Sequence, residues 1–123
     1  MKQTDPDSAT VPLDLDYLDR NYIKLGCEDV LFDVVNIFLE TAPEKVALMK
    51  DALETADGPE LSKLAHGLKG ESGSVGARIV ASLAAAQDQS ARRGDIEEFR
   101  SRMPQLELEL DRAIALLKQE FCK

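Results

Sequence analysis

Histidine occurs once in the 123 residues, at His66, cysteine twice, at Cys27 and Cys122, and tryptophan not at all. One histidine cannot build a multi-imidazole zinc site, and the acidic residues show neither HExxH nor facial-triad spacing, so metalloenzyme chemistry is disfavoured and no metal ligand is assigned. The cysteines lie near opposite ends without metal-ligand or redox-motif spacing, which reads as two reduced, incidental thiols. No apolar run approaches the ~20 residues of a membrane span, and the polar start of the chain has no signal-type apolar segment. A cytoplasmic protein without membrane association is expected. Positive charge is in deficit: 15 Lys and Arg against 23 Asp and Glu leave a formal net charge of -8. That balance argues against nucleic acid as the main partner.

What remains is the composition of a soluble helical domain, 44% hydrophobic and 31% charged. The length suits one core and leaves no room for a nucleotide-binding kinase domain besides. Residues 1–12, with Pro6, Pro12 and several Ser, Thr and Asp, read as a disordered arm or linker, and residues 13–123 as the folded domain. Asp14 to Leu25 reads as a short helix with Leu15, Leu18 and Tyr22 inward and Gly26 as its C-cap. From Glu28 the positions Leu31, Val35, Phe38, Ala42, Val46, Met49 and Leu53 keep one helical phase straight across Pro43. One long kinked helix is expected, against an alternative of two helices with Pro43 opening the second. Pro59 and Glu60 open the helix that carries His66, which ends near Gly73. Ile79, Val80, Leu83 and Ala86 give the next helix its apolar face as far as Gly94. Asp95 to Glu98 resembles a capping box for a last helix whose stripe, Ile96 to Leu117, stays in phase past Pro104, predicting a bend and not a stop. The fold class is therefore all-α: an antiparallel four-helix bundle, up-down-up-down, with a short N-terminal helix covering one end. Its length allows one chain to close its own core, so a monomer is expected.

The chemistry concentrates between Leu61 and Ala77. Leu61, Leu64, Ala65, Leu68 and Val75 form the core stripe, and at roughly 100° per residue His66 falls about 150° from its centre, toward solvent. Ser62, Lys69, Gly70 and Gly73 share its face. The two glycines leave a shallow bay beside the imidazole at a helix-propensity cost of about 1 kcal/mol each, although they equally admit a closely packed neighbouring helix. Lys69 places a mobile ammonium near whatever the imidazole carries, and Lys is a good point-charge partner for phosphate oxygens. Histidine, with an ordinary pKa near 6.5, is substantially neutral and nucleophilic at cellular pH. A phosphoryl group suits this set of residues.

His66-Gly67-Leu68-Lys69-Gly70, followed by Ser72, Gly76 and Ala77, resembles the motif H-x-L-K-G-x-S-x-x-x-G-A of the histidine-containing phosphotransfer (HPt) domain family. The likeness extends to Leu13–Leu18, to Phe38-Leu39-Glu40-Thr41-Ala42-Pro43 and to Arg92-Arg93-Gly94-Asp95, so it covers nearly the whole chain. Gln87-Asp88 departs from the Leu-Glu expected there, which puts local packing of that helix in question. The resemblance implies a two-component phosphorelay intermediate. The Nε2 atom of His66 would take a phosphoryl group from a receiver-domain aspartate and give it to a second receiver. Lys69 would offset the transferring charge, and Gly70 and Gly73 would give steric access. Partners would be response-regulator receivers and a histidine or hybrid kinase. No cofactor belongs to the chain itself, Mg²⁺ being expected in the receiver, so the protein is a phosphocarrier and not a free-standing enzyme. Lys63 and Arg78 are candidates to meet an acidic receiver surface, or are plain solvated charges.

Two other readings stay open at this stage. The motif also resembles the phospho-accepting domain of chemotaxis-type kinases, which takes phosphate from ATP. The bundle alone would equally serve as a receiver-binding module that is never phosphorylated.

Overall fold

The computed structural model describes residues 11–121. The expected N-terminal arm lies outside the described residues up to position 10, as does Cys122; Cys27 is a free, half-buried thiol. Among the described residues there are six helices and no strand: α1 (Leu15–Leu18, continued by a π-helical turn over Asp19–Ile23), α2 (Glu28–Glu54), α3 (Gly58–Ser74), α4 (Arg78–Arg92), α5 (Ile96–Ser101) and α6 (Met103–Phe121). The chain is an all-α bundle. The four long helices close a ring in which α2 packs on α3, α3 on α4, α4 on α6 and α6 back on α2. None of the described helices is long and apolar enough to cross a membrane.

The α2 stripe behaves as its period requires: Leu31, Val35, Phe38, Ala42, Val46, Met49 and Leu53 are all buried. Each large side chain among them contributes about 1.5–3 kcal/mol through burial. The helix runs unbroken through Pro43. That proline is exposed, so the carbonyl it leaves without an N–H partner lies on the side where water can serve it.

The second proline acts differently. The expected bend near Pro104 is a stop: α5 ends at Ser101, Arg102 forms a turn, and α6 begins at Met103. Pro104 has no N–H to give and fits the first turn of a new helix, where none is needed. The apolar phase nevertheless survives the break, because Phe99, Met103, Leu106, Leu110 and Leu117 remain buried. The capping box is half formed. Asp95 accepts from the Glu98 N–H at 3.1 Å, but the Glu98 carboxylate turns to Ser90 and Arg93 instead of closing back on Asp95.

Two apolar faces also differ from expectation. In α1, Leu18 is buried but Leu15 is 46% exposed, and Leu13, just before the helix, takes the inward place. In α4 the buried positions are Val80, Ala84, Gln87, Asp88, Ser90 and Ala91, with Ile79, Leu83 and Ala86 only half-buried. The run Ala84-Ala85-Ala86 carries little apolar contrast, so close approach to α3 sets the face. Buried Gln87 earns its place by donating from Nε2 to the Phe99 carbonyl at 3.2 Å, which fastens α5.

The N-terminal segment is tied to the α3–α4 turn by polar contacts. Asp14 accepts from the Tyr17 N–H at 3.0 Å and from Arg78 Nε at 2.6 Å. Its own N–H donates to the Gly76 carbonyl at 2.8 Å, and the Tyr22 hydroxyl donates to the Ser74 carbonyl at 2.9 Å. Gly76 permits this approach: its φ is +75°, and a Cβ there would stand 3.0 Å from the Asp14 carbonyl oxygen.

Candidate functional site

Helix α3 starts where its sequence says it should. Asp57 accepts from the Glu60 N–H at 3.1 Å, and Pro59 occupies the first turn. From there Leu61, Leu64, Ala65 and Leu68 are buried, and that fixes the rotation of the helix. His66 is consequently turned outward, its side chain 66% exposed. Ser72, part of the same motif, is fully buried and belongs to the packing.

The imidazole is not alone. Its Nδ1 lies 3.6 Å from Oδ2 of Asp88 on α4, whose side chain is only 11% exposed. Asp88 in turn accepts from Ser62 Oγ at 2.5 Å and from Arg92 Nε at 2.9 Å. Burial opposes ionisation of Asp88, but the hydrogen bonds from Ser62 and Arg92, with the charges of Arg92 and His66, outweigh it and hold the carboxyl below its ordinary value of 3.8. At 3.6 Å the ionised carboxylate is too far for a hydrogen bond, but as a charge beside Nδ1 it favours the tautomer that carries its proton there.

Gly70 and Gly73 are exposed, and a Cβ at either would meet nothing within 4 Å. No described helix packs against them, so of the two readings of these glycines the open bay is the one present. Lys69 is exposed and has no carboxylate partner among the described residues. Arg78 is engaged by Asp14 and, with Tyr17 and Gly73, lines a cleft at the far end of the bay. Lys63 lines a groove of about 480 Å³ between α2 and α3, together with Thr41, Lys45, Leu48, His66 and Gly67. Among the described residues no three His, Cys, Asp or Glu side chains converge to hold a metal ion.

Sequence reasoning treated Asp88 as a packing irregularity and missed its place beside the histidine. The available signal was a pair of matched one-turn spacings, Ser62 with His66 on α3 and Asp88 with Arg92 on α4. Lys45 was missed too, and Gly67, at a variable position of the motif, was given no role.

A helical bundle that turns a single imidazole to solvent, backs it with a buried carboxylate and clears a bay beside it defines a class of surface-histidine proteins. A family model described as the Hpt domain matches residues 33–116, and the chain belongs to that family. The crystal structure of histidine-containing phosphotransfer protein B (HptB) from Pseudomonas aeruginosa PAO1 is similar over 89% of this chain and 93% of that one, with 28% sequence identity and a TM-score of 0.81. Comparison with curated proteins gave no match.

Proposed function

We propose that this protein is a phosphorelay intermediate that accepts a phosphoryl group on His66 from a receiver-domain aspartate and passes it to another receiver. The observation that carries this reading is the placement of His66: solvent-facing, with Nδ1 toward Asp88, on the helix that also carries the unobstructed Gly70 and Gly73.

The chemistry follows from that placement. Neutral His66, with its proton on Nδ1, directs the Nε2 lone pair at the phosphorus of an incoming aspartyl phosphate. The N–P bond forms as the acyl O–P bond breaks, and the donor carboxylate leaves with the bonding pair. The imidazole becomes a cation while it bears the phosphoryl group, and Asp88 faces the Nδ1–H that carries this charge. Lys69 offsets the charge on the phosphoryl oxygens, and the reverse sequence delivers the group to the next receiver. Mg²⁺, where the transfer needs it, belongs to the receiver's own pocket. This chain supplies a nucleophile on a rigid helix and is closer to a substrate than to an enzyme.

Docking requires a surface around the histidine that is apolar with a polar rim. Ile37 and Leu48, 54% and 49% exposed on α2, are suited to the apolar part. The partners are response-regulator receivers fed by a histidine or hybrid kinase, and the carrier works as a cytoplasmic monomer. The test is transfer of radiolabel from a panel of phosphorylated receivers to wild type and to His66→Gln, with circular dichroism confirming equal folding. Acid-labile, base-stable label on wild type alone is the expected result. Label from a kinase with ATP but from no receiver would instead assign the role of a kinase's phospho-accepting domain, and binding without any transfer would leave a docking module.

A further inference from the structure

We infer that Lys45 is a second cation of the phosphoryl site, carried across the α2–α3 boundary by the missing side chain of Gly67 and parked on Glu71 while His66 is unmodified. The inference rests on the phosphocarrier reading of His66.

Gly67 has no backbone reason to be glycine. It lies inside α3 in ordinary helical conformation, where glycine costs about 1 kcal/mol relative to alanine. Unlike Gly70 and Gly73, it is not open: a Cβ at position 67 would stand 2.8 Å from Cε of Lys45 and 3.9 Å from its Nζ. The lysine stem passes through the space a side chain would fill. Its ammonium ends 2.6 Å from Oε2 of Glu71, and the other oxygen of that carboxylate accepts from Thr41 Oγ1 at 2.9 Å. The pair is sheltered, with side chains 23% and 28% exposed.

This brings a lysine of α2 into the groove that His66 borders, on the α2 side of the imidazole, whereas Asp88 approaches from α4. The two placements divide the work. Asp88 faces the ring nitrogen that keeps its proton, and Lys45 is available to the group on the other nitrogen. A lysine ammonium is a mobile point charge on a flexible stem, and a phosphoryl dianion next door is a stronger attractor than one carboxylate. On phosphorylation Lys45 exchanges an N–H···O contact with Glu71 for one with a phosphoryl oxygen. No covalent bond or proton moves in this exchange, and Glu71 keeps its hydrogen bond from Thr41.

The test uses phosphoramidate, which phosphorylates imidazole with loss of ammonia and needs no protein partner. Wild type, Lys45→Gln, Glu71→Gln and Gly67→Ala are treated, checked for equal folding by thermal melts, and titrated by ³¹P NMR. A neighbouring cation favours the phosphoryl dianion and so lowers its second pKa. Removing Lys45 is therefore expected to raise the ³¹P midpoint by about half a unit or more, the low end of a close charge–charge effect on a mobile side chain. Gly67→Ala, which removes no charge but displaces the Lys45 stem from this path, is expected to move the midpoint the same way, and Glu71→Gln to lower it. The Lys45 ¹⁵Nζ signal should shift on treatment of wild type and stay still in His66→Gln. An unmoved Lys45 signal, with equal midpoints in wild type, Lys45→Gln and Gly67→Ala, would overturn the inference and leave Lys45–Glu71 as a clamp between helices. If wild type itself takes no phosphoryl group on His66, the phosphocarrier reading fails first and this inference falls with it.

Discussion

Two glycines with open space around them and no need for unusual backbone cost the helix stability, which on the proposed reading is the counterpart of access to His66. Gly70→Ala and Gly73→Ala should each raise stability by up to about 1 kcal/mol, because a Cβ at either position clashes with nothing. For a domain of this size that is a melting-temperature gain of several degrees. The same substitutions narrow the bay, so the transfer rate should fall while the melting temperature rises, and Gly70→Leu should slow transfer further. A stabilised Gly70→Leu that transfers at the wild-type rate would show that the bay has no part in access. Asp88→Asn tests the other side of the imidazole. The amide keeps the volume but can offer its NH₂ group to Nδ1, favouring the wrong tautomer. Transfer should drop by at least about tenfold with the fold retained, since losing a tautomer-fixing carboxylate has large effects in other reactive histidines.

At the scale of elements, two buried carboxylates join helices and contribute to the acid sensitivity of the bundle. Asp14 ties α1 to the α3–α4 turn and Asp88 ties α4 to α3. For Asp14, burial again opposes ionisation and is outweighed by the Tyr17 N–H and by the hydrogen bond and charge of Arg78, so its pKa also lies below the ordinary 3.8. A depressed folded-state pKa means that the unfolded chain binds protons first as pH falls. The stabilisation is complete above the ordinary value and is lost as pH drops from about 4 through the lower folded values. Urea midpoints between pH 2 and pH 6 should therefore fall steeply at the acid end for wild type and more gently for Asp14→Asn and Asp88→Asn, each starting from a lower plateau. Parallel curves would mean that neither carboxylate is perturbed by folding. The turns give a further contrast. Gly26 and Gly76 both have positive φ, +76° and +75°, but only Gly76 faces close backbone. Gly26→Ala should cost about 1–2 kcal/mol from the left-handed conformation alone. Gly76→Ala should cost clearly more, because the added Cβ displaces the Asp14 backbone and the capping contacts with it. Equal melting temperatures for the two variants would count against this account of how α1 is anchored.

Across the whole molecule, what was legible in the sequence is what a single helix decides for itself. The α2 stripe, the outward turn of His66 and the glycine bay all follow from a 3.6-residue period, and each is present. What was not legible depends on distances between helices. The alanine-rich α4 carries too little contrast to reveal which face is buried, so neither Asp88 nor its reach to His66 showed. Lys45 lies 21 positions before His66, and only the α2–α3 packing brings them to one groove. The break at Arg102 was hidden because the apolar phase continues through it. Charge has the same two-level character. The chain totals a net -8, yet Lys45, Lys63, Lys69, Arg78 and Arg92 all lie near the histidine, its groove or the far end of its bay. Lys45, Arg78 and Arg92 are paired with Glu71, Asp14 and Asp88, so the basic patch free to act outward among the described residues is Lys63 and Lys69; set in an acidic molecule, it should draw an acidic receiver face toward His66, and such steering acts on encounter more than on residence. Association with an acidic receiver should therefore slow as salt rises from about 0.01 M to 0.15 M, where the screening length contracts from about 30 Å to about 8 Å, while dissociation changes little. Stopped-flow binding with Lys63→Gln and Lys69→Gln should show a shallower salt dependence than wild type. Association that is indifferent to salt would mean that apolar contact alone guides docking. Association that quickens with salt would mean that the global negative charge, and not the basic patch, is what the receiver meets first.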